Sequence, residues 1–308
     1  MAVTVVGSVA FDSLQTPFGK RERILGGAAT HFSLAASFFT DVNVVGVVGE
    51  DFGDEELQVL TSRRVDVSDL ERVAGGRSFH WSGRYDADMT VAHTLETDLN
   101  VFADFSPTLS ERTRSASTLF LGNIQPDLQR RVRAQCPDAF CGLDSMNYWI
   151  ESARDSLLET MGLVDVISFN DGEVRMLTGE PNLARGARRI LELGPRVALV
   201  KQGPYGACMY TADDFFAVPA YPLETVVDPT GAGDAFAGGF FGYLDSPEAA
   251  DRSATVLRQA AVYGSVMGSF VVEDFGTERV QRLTRDEITG RLEDFRRMMT
   301  FEEPRPRG

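Results

Sequence analysis

With 308 residues, 43% of them hydrophobic, the chain has enough apolar content for one large core. Its 45 acids against 30 basic residues give a net charge of −15, which excludes nonspecific binding to nucleic acid or to an anionic membrane. Any anionic ligand must therefore be met by positive potential concentrated locally.

Cys136, Cys141 and Cys208 have no metal-ligand spacing to a histidine and read as reduced thiols. The N-terminal MAVTVVGSVAFD lacks a basic signal-like segment, and no apolar run approaches about 18 residues. A cytoplasmic protein with no membrane partner is expected.

Along the chain, strand-like runs alternate with helical ones, the pattern of a mostly parallel α/β sheet. Strands are predicted at 3–9, 42–48, 118–121, 140–143, 164–168 and 197–200. Helices are predicted at 28–39, 55–63, 127–134, 148–161, 172–177, 183–193, 232–244, 249–266 and 285–299. Two stretches break the alternation, 13–25 and 78–95, where short strands with charged turns fit an antiparallel flap. One α/β unit over 1–300 is expected, followed by a loose tail at 301–308 that is too polar to pack.

The most informative stretch is DPTGAGDAFAGGFF, 228–241, in which a turn of small residues runs into an apolar helix carrying one acid. Gly231, Ala232 and Gly233 allow backbone N–H groups to face an anion at a helix N-terminus. An N-capping turn would explain one Asp and one Gly, but not the small residues that continue through Ala235, Ala237, Gly238 and Gly239. Glycine inside a helix costs roughly 1 kcal/mol relative to alanine, so a nucleotide or a tightly packed neighbour must approach there. Asp234, beside a bound polyphosphate, is better suited to removing a proton than to binding.

This stretch resembles the second signature of the ribokinase-like (PfkB) carbohydrate kinases, D-T-x-G-A-G-D, with Pro229 as a variant. GGAATHFSLAASFF, 26–39, is similar to the family's G-G-x-x-x-N-x-A helix start, with His31 in place of the usual Asn. The resemblance implies a ribokinase-like three-layer fold with a small β-sheet lid over the acceptor site, and ATP-dependent phosphorylation of a hydroxyl on a sugar or related polyol, using Mg²⁺. Asp234 would be the general base, and the Gly231, Ala232 and Gly233 amides would hold the charge of the transferred group. A nucleoside kinase of the same fold is the alternative, and a metabolite-binding regulator that has lost the chemistry is a more distant one.

The resemblance further implies that Asp12, Gly26, Gly27 and His31 bind the acceptor. From the residues alone, Asp12 could equally form a turn and His31 could be a satisfied core histidine. Asn170 and Glu173 form the N-x-x-E linked in the family to magnesium and phosphate, with Glu173 acting through metal-bound water; the same spacing also makes a capping box. Lys201 and Gly203 match the turn near the nucleotide, although a lysine after a strand is often simply solvated. Ala261, Gly264 and Gly268 match the adenine wall, and Asp228, Thr230, Ser265 and Ser269 lie where relatives bind a monovalent cation such as K⁺. Asp144 and Asn147 resemble a D-x-N loop with one extra residue between them. Phe79, Trp81 and Tyr85 fall in the lid, where they either line the site or pack a sheet face; pairing of two chains through the lid is left open.

Overall fold

The computed structural model describes residues 2–249 and 251–301; of the expected tail, 302–308 lie outside the described residues. Among the described residues thirteen strands form two sheets. In chain order they are β1 (Ala2–Val6), β2 (Ala10–Thr16), β3 (Gly19–Gly26), β4 (Asp41–Gly49), β5 (Val65–Val73), β6 (Phe79–Tyr85) and β7 (Ala92–Asp98). Then follow β8 (Thr118–Leu121), β9 (Phe140–Leu143), β10 (Val166–Asn170), β11 (Val197–Lys201), β12 (Ala207–Tyr210) and β13 (Phe215–Val218).

The large sheet has the order β13-β12-β11-β10-β9-β8-β1-β4-β5. Every pair from β11 to β5 is parallel, and β12 and β13 close one edge as an antiparallel hairpin. Side chains alternate between two cores, as strand geometry requires. Val3, Val5, Val197 and Leu199 join the core under the helices Ala28–Ala36, Ala232–Leu244 and Ala254–Val271. Val6, Ala198 and Val200 join the core under Pro126–Gln135, Arg154–Met161, Asp171–Thr178 and Leu183–Leu191. The result is the expected three-layer α/β arrangement.

The small sheet, order β3-β2-β6-β7, is built from the two stretches that break the alternation. It is not wholly antiparallel. β2 and β6, far apart in sequence, pair in parallel, while β3 and β7 flank them antiparallel.

Some boundaries differ from expectation for local reasons. The first strand stops at Val6 rather than at 9, and β2 begins at Ala10, so Asp12 belongs to the small sheet. The helix predicted at 148–161 divides at Ala153, whose φ of −138° and ψ of 34° leave the helical range, into Asn147–Ser152 and Arg154–Met161. The one predicted at 249–266 runs Ala254–Val271, because the Ser253 side chain accepts from the Val256 N–H and fixes its start.

The helix Ala232–Leu244 answers the question posed by its glycines. A Cβ on Gly238 would lie 2.3 Å from the Phe32 carbonyl oxygen of one neighbouring helix, and one on Gly239 would lie 2.6 Å from the Tyr263 carbonyl oxygen of another. The close approach is protein on two sides. On the sheet side, Phe241 lies over Gly142 of β9.

Candidate active site

The C-terminal ends of adjacent parallel strands deliver the polar groups, as open α/β sheets do. Asp144 follows β9, Asn170 ends β10, and Lys201, paired in register with Asn170, ends β11. The Lys201 Nζ donates to Asp144 Oδ2 at 3.0 Å; Asp144 is buried and the Lys201 side chain is 16% exposed. Lys201 is thus not a solvated surface lysine. Its ammonium also lies against the phosphate-turn candidate, since a Cβ on Gly233 would be 3.0 Å from Nζ.

Asn170 and Glu173 form the capping box. The Glu173 N–H donates to Asn170 Oδ1 at 2.8 Å, and the Asn170 N–H donates to Glu173 Oε2 at 2.7 Å. This leaves Oε1 of a buried carboxylate free for a further partner. Burial, and then the charge of Asp144, push the Glu173 carboxyl up to about 8.

The helix bearing Asp234 begins at Gly231, whose φ of 77° is the left-handed region that glycine enters at little cost. The Ala232 N–H donates to the Pro229 carbonyl, and the first helical bond runs from Ala235 to Gly231. Among the described residues, the Gly233 and Asp234 amides have no backbone acceptor. The Asp234 N–H turns to its own carboxylate, which leaves the Gly233 amide open at the helix N-terminus. By contrast, the helix starting at Ala28 has its first amides occupied by the Ser8 hydroxyl and carbonyl.

Asp234 keeps a partial opening to solvent. Burial first, and then Asp144, push its carboxyl up to about 7, with Lys201 pulling it back. Lys201 is itself raised: burial would lower it, but Asp144, Glu173 and Asp234 outweigh that effect. Asp144 is raised by burial against the pull of Lys201.

Asp12, 5% exposed, faces the same region from the small sheet. Burial, then Asp228 and Asp234, push it up to about 7, although it accepts the Gly27 N–H. Gly26 is adjacent because a Cβ there would lie 2.0 Å from the Asp12 carboxylate. Tyr85 carries the lid onto the turn, its hydroxyl 3.1 Å from Thr230 Oγ1. By register, Trp81 shares the lid face of Asp12. Phe79 stacks instead on Phe102.

Other expected residues lie elsewhere. His31 is buried, and a Cβ on Gly231 would lie 2.4 Å from its ring, so the imidazole backs the turn rather than opening into a pocket. Burial lowers its pKa to about 4, leaving it neutral, and among the described residues Nε2 is closed off without a hydrogen-bond partner. Both Asp228 oxygens are engaged, by the Thr230 and Gly276 amides at 2.9 and 2.8 Å, so Asp228 folds the turn. A Cβ on Gly264 would lie 2.9 Å from the Phe236 carbonyl oxygen and one on Gly268 3.1 Å from that of Ala232, and Ala261 is in the core; these positions pack helices together. Gly203 lies in an exposed turn and Asn147 on an exposed helix start. Asp144, given no role where the loop carries an extra residue, lies beside Lys201, Glu173 and Asp234. The signal that could have found it is an acid directly after an apolar strand, on the sheet edge where Asn170 and Lys201 also fall.

The arrangement can hold an anion at a free helix amide beside a cation, and can take a proton with an acid whose pKa is near neutrality. Its carboxylates, Asp12, Asp144, Glu173 and Asp234, supply only oxygen donors with raised proton affinity, a set suited to a hard divalent cation.

Comparison with known proteins establishes the family. A cytidine kinase of Thermococcus kodakarensis is 30% identical over 77% of this chain and 86% of that protein. A nucleoside kinase of Methanothermobacter thermautotrophicus is 27% identical over 89% and 90% of the two chains. The crystal structure of the Methanocaldococcus jannaschii nucleoside kinase, an archaeal member of the ribokinase family, superposes with a TM-score of 0.75 at 20% identity, covering 95% of this chain and 98% of that one. The family model for pfkB carbohydrate kinases matches residues 3–282, and the chain belongs to that family.

Proposed function

We propose that the chain transfers the γ-phosphoryl group of ATP to a hydroxyl of a nucleoside, with Asp234 as general base. The observation that carries the reading is the placing of Asp234: an acid at a helix N-terminus where the Gly233 amide lacks a backbone acceptor and Lys201 lies alongside, with burial pushing its carboxyl up to about 7. An inactive regulator would have no need to keep this set together.

Ionised Asp234 takes the acceptor's proton as its oxygen attacks phosphorus. The Gly233 amide, with the helix dipole and Lys201, holds the charge developing on the transferred group. Asp12 accepts hydrogen bonds from acceptor hydroxyls. Tyr85 and Trp81 close the lid side against water. The carboxylate set fits Mg²⁺, held through Glu173 and water, and a bound Mg²⁺ supplies charge neutralisation to the phosphates. K⁺ has less support, because Asp228 is fully used by backbone amides.

A nucleoside is placed ahead of a simple sugar because the two relatives reported above act on nucleosides by name and match most of the chain. The aromatic lid face also suits a planar base. A sugar is the second reading, favoured by the family's description. Phosphorylation assays with ATP and Mg²⁺ across nucleosides, sugars and polyols, with Asp234→Asn as control, test both. Turnover of sugars alone would overturn the nucleoside reading, and full activity of Asp234→Asn would overturn the base.

A further inference from the structure

The face of the lid turned away from Asp12 carries a group of residues with no part in phosphoryl transfer. In the antiparallel pair β6–β7, His80 stands opposite Asp98 and Ser82 opposite Glu96, so His80, Asp98 and Glu96 occupy neighbouring positions on one side of the sheet. Their ligand atoms all lie within 4.8 Å of one another, with His80 Nδ1 3.8 Å from Asp98 Oδ2.

Among the described residues neither carboxylate pairs with a lysine or arginine, in a lid where Arg23 and Arg84 both find acidic partners. The other imidazole nitrogen, Nε2, is 2.9 Å from Ser13 Oγ, whose position is held by the Arg23 N–H at 3.1 Å. A ring anchored at Nε2 presents Nδ1 to the two acids. Such a bond to the second nitrogen is what orients histidine ligands in metal sites.

We propose that His80 Nδ1, Glu96 and Asp98 form a site for a borderline divalent cation of the Zn²⁺ class, on the outer face of the lid. An imidazole with two carboxylates suits Zn²⁺ better than Mg²⁺ or Ca²⁺, which prefer oxygen donors alone. Ligands at about 2.0–2.2 Å from tetrahedral Zn²⁺ lie about 3.4 Å apart, so the group must close by about 1 Å. Both carboxylates are exposed and free to do so. Water completes the shell. β7 is exposed along its whole length, so the ion would pin it to β6, and to β2 through Ser13.

The test is titration of the full chain with Zn²⁺ against a chromophoric competitor, in excess Mg²⁺ to occupy the carboxylates of the transfer site. One Zn²⁺ per chain is expected, lost in His80→Ala and in the isosteric pair Glu96→Gln/Asp98→Asn. Ser13→Ala should weaken binding by roughly 10-fold to 100-fold. His93→Ala, a lid histidine bonded to Asp86, should bind as the parent does. Hydrogen exchange of the 92–98 amides should slow with Zn²⁺ in the parent and not in His80→Ala. Absence of binding in the parent, or unchanged stoichiometry and affinity in His80→Ala, would overturn the site.

Discussion

Replacing Gly231 by alanine places a methyl group at a φ of 77° and within 2.4 Å of the His31 ring. The left-handed backbone costs a non-glycine residue about 1–2 kcal/mol. The contact is more than about 1 Å inside van der Waals distance, and because the ring is buried against the core its displacement adds about 1–3 kcal/mol. Gly231→Ala should therefore destabilise the protein by about 2–5 kcal/mol. In a His31→Ala background only the backbone part remains, which gives a coupling of about 1–3 kcal/mol in the double-mutant cycle. Urea unfolding of the four proteins measures it. Because the same turn presents the free amide, kcat of Gly231→Ala should fall by about 10²-fold and recover in part in the double variant. A coupling below about 0.5 kcal/mol would refute the claim that His31 backs the turn.

The proposed base role requires ionised Asp234, so the acceptor kcat/KM should rise with pH through a limb near 7 and then level off. Asp234→Asn should lower kcat by roughly 10²-fold to 10⁴-fold with ATP affinity kept, as read by steady-state kinetics and nucleotide titration. Lys201→Met removes the cation that favours ionised Asp234 and should move the limb upward by about one pH unit; an unmoved limb would count against the coupling. Asp12, near 3.8 when unfolded and about 7 when folded, contributes stability that is fully present below about pH 4 and lost as pH rises toward 7. Asp12→Asn should flatten that part of the stability profile, with a ceiling of about 4 kcal/mol by linkage; an unchanged slope in urea unfolding between pH 4 and 8 would refute it.

Much of the frame was legible in the sequence because period and punctuation are local. The apolar strands of the parallel sheet and the Asp234 turn are written in contiguous residues, and the two charged stretches that interrupt them became the lid. What escaped reading depends on neighbours. β5 is an edge strand of mixed charge with a register shift against β4, and nothing in VDVSDLERV alternates cleanly. Lys201 reads as a surface lysine until the sheet order, with β10 between β11 and β9, brings it within reach of Asp144, 57 residues away. His31 occupies a position read as substrate-facing, yet its burial follows from the Gly231 backbone two hundred residues later. Gly264 and Gly268 illustrate the same limit: small residues that leave room for a purine also leave room for a helix.

The seating of the Asp234 helix has a consequence in time. Its glycines fit against Phe32 and Tyr263, which come from opposite ends of the chain. As the polypeptide leaves the ribosome, the helix Ala28–Ala36 waits through some two hundred residues before the surface it is shaped for is synthesised, and the helix Ala254–Val271 arrives last of the three. A nascent or truncated chain ending before that helix should leave the Asp234 helix without one of its two packing partners. Recovery of activity after denaturation should accordingly follow the slowest folding phase, after helix content has already returned.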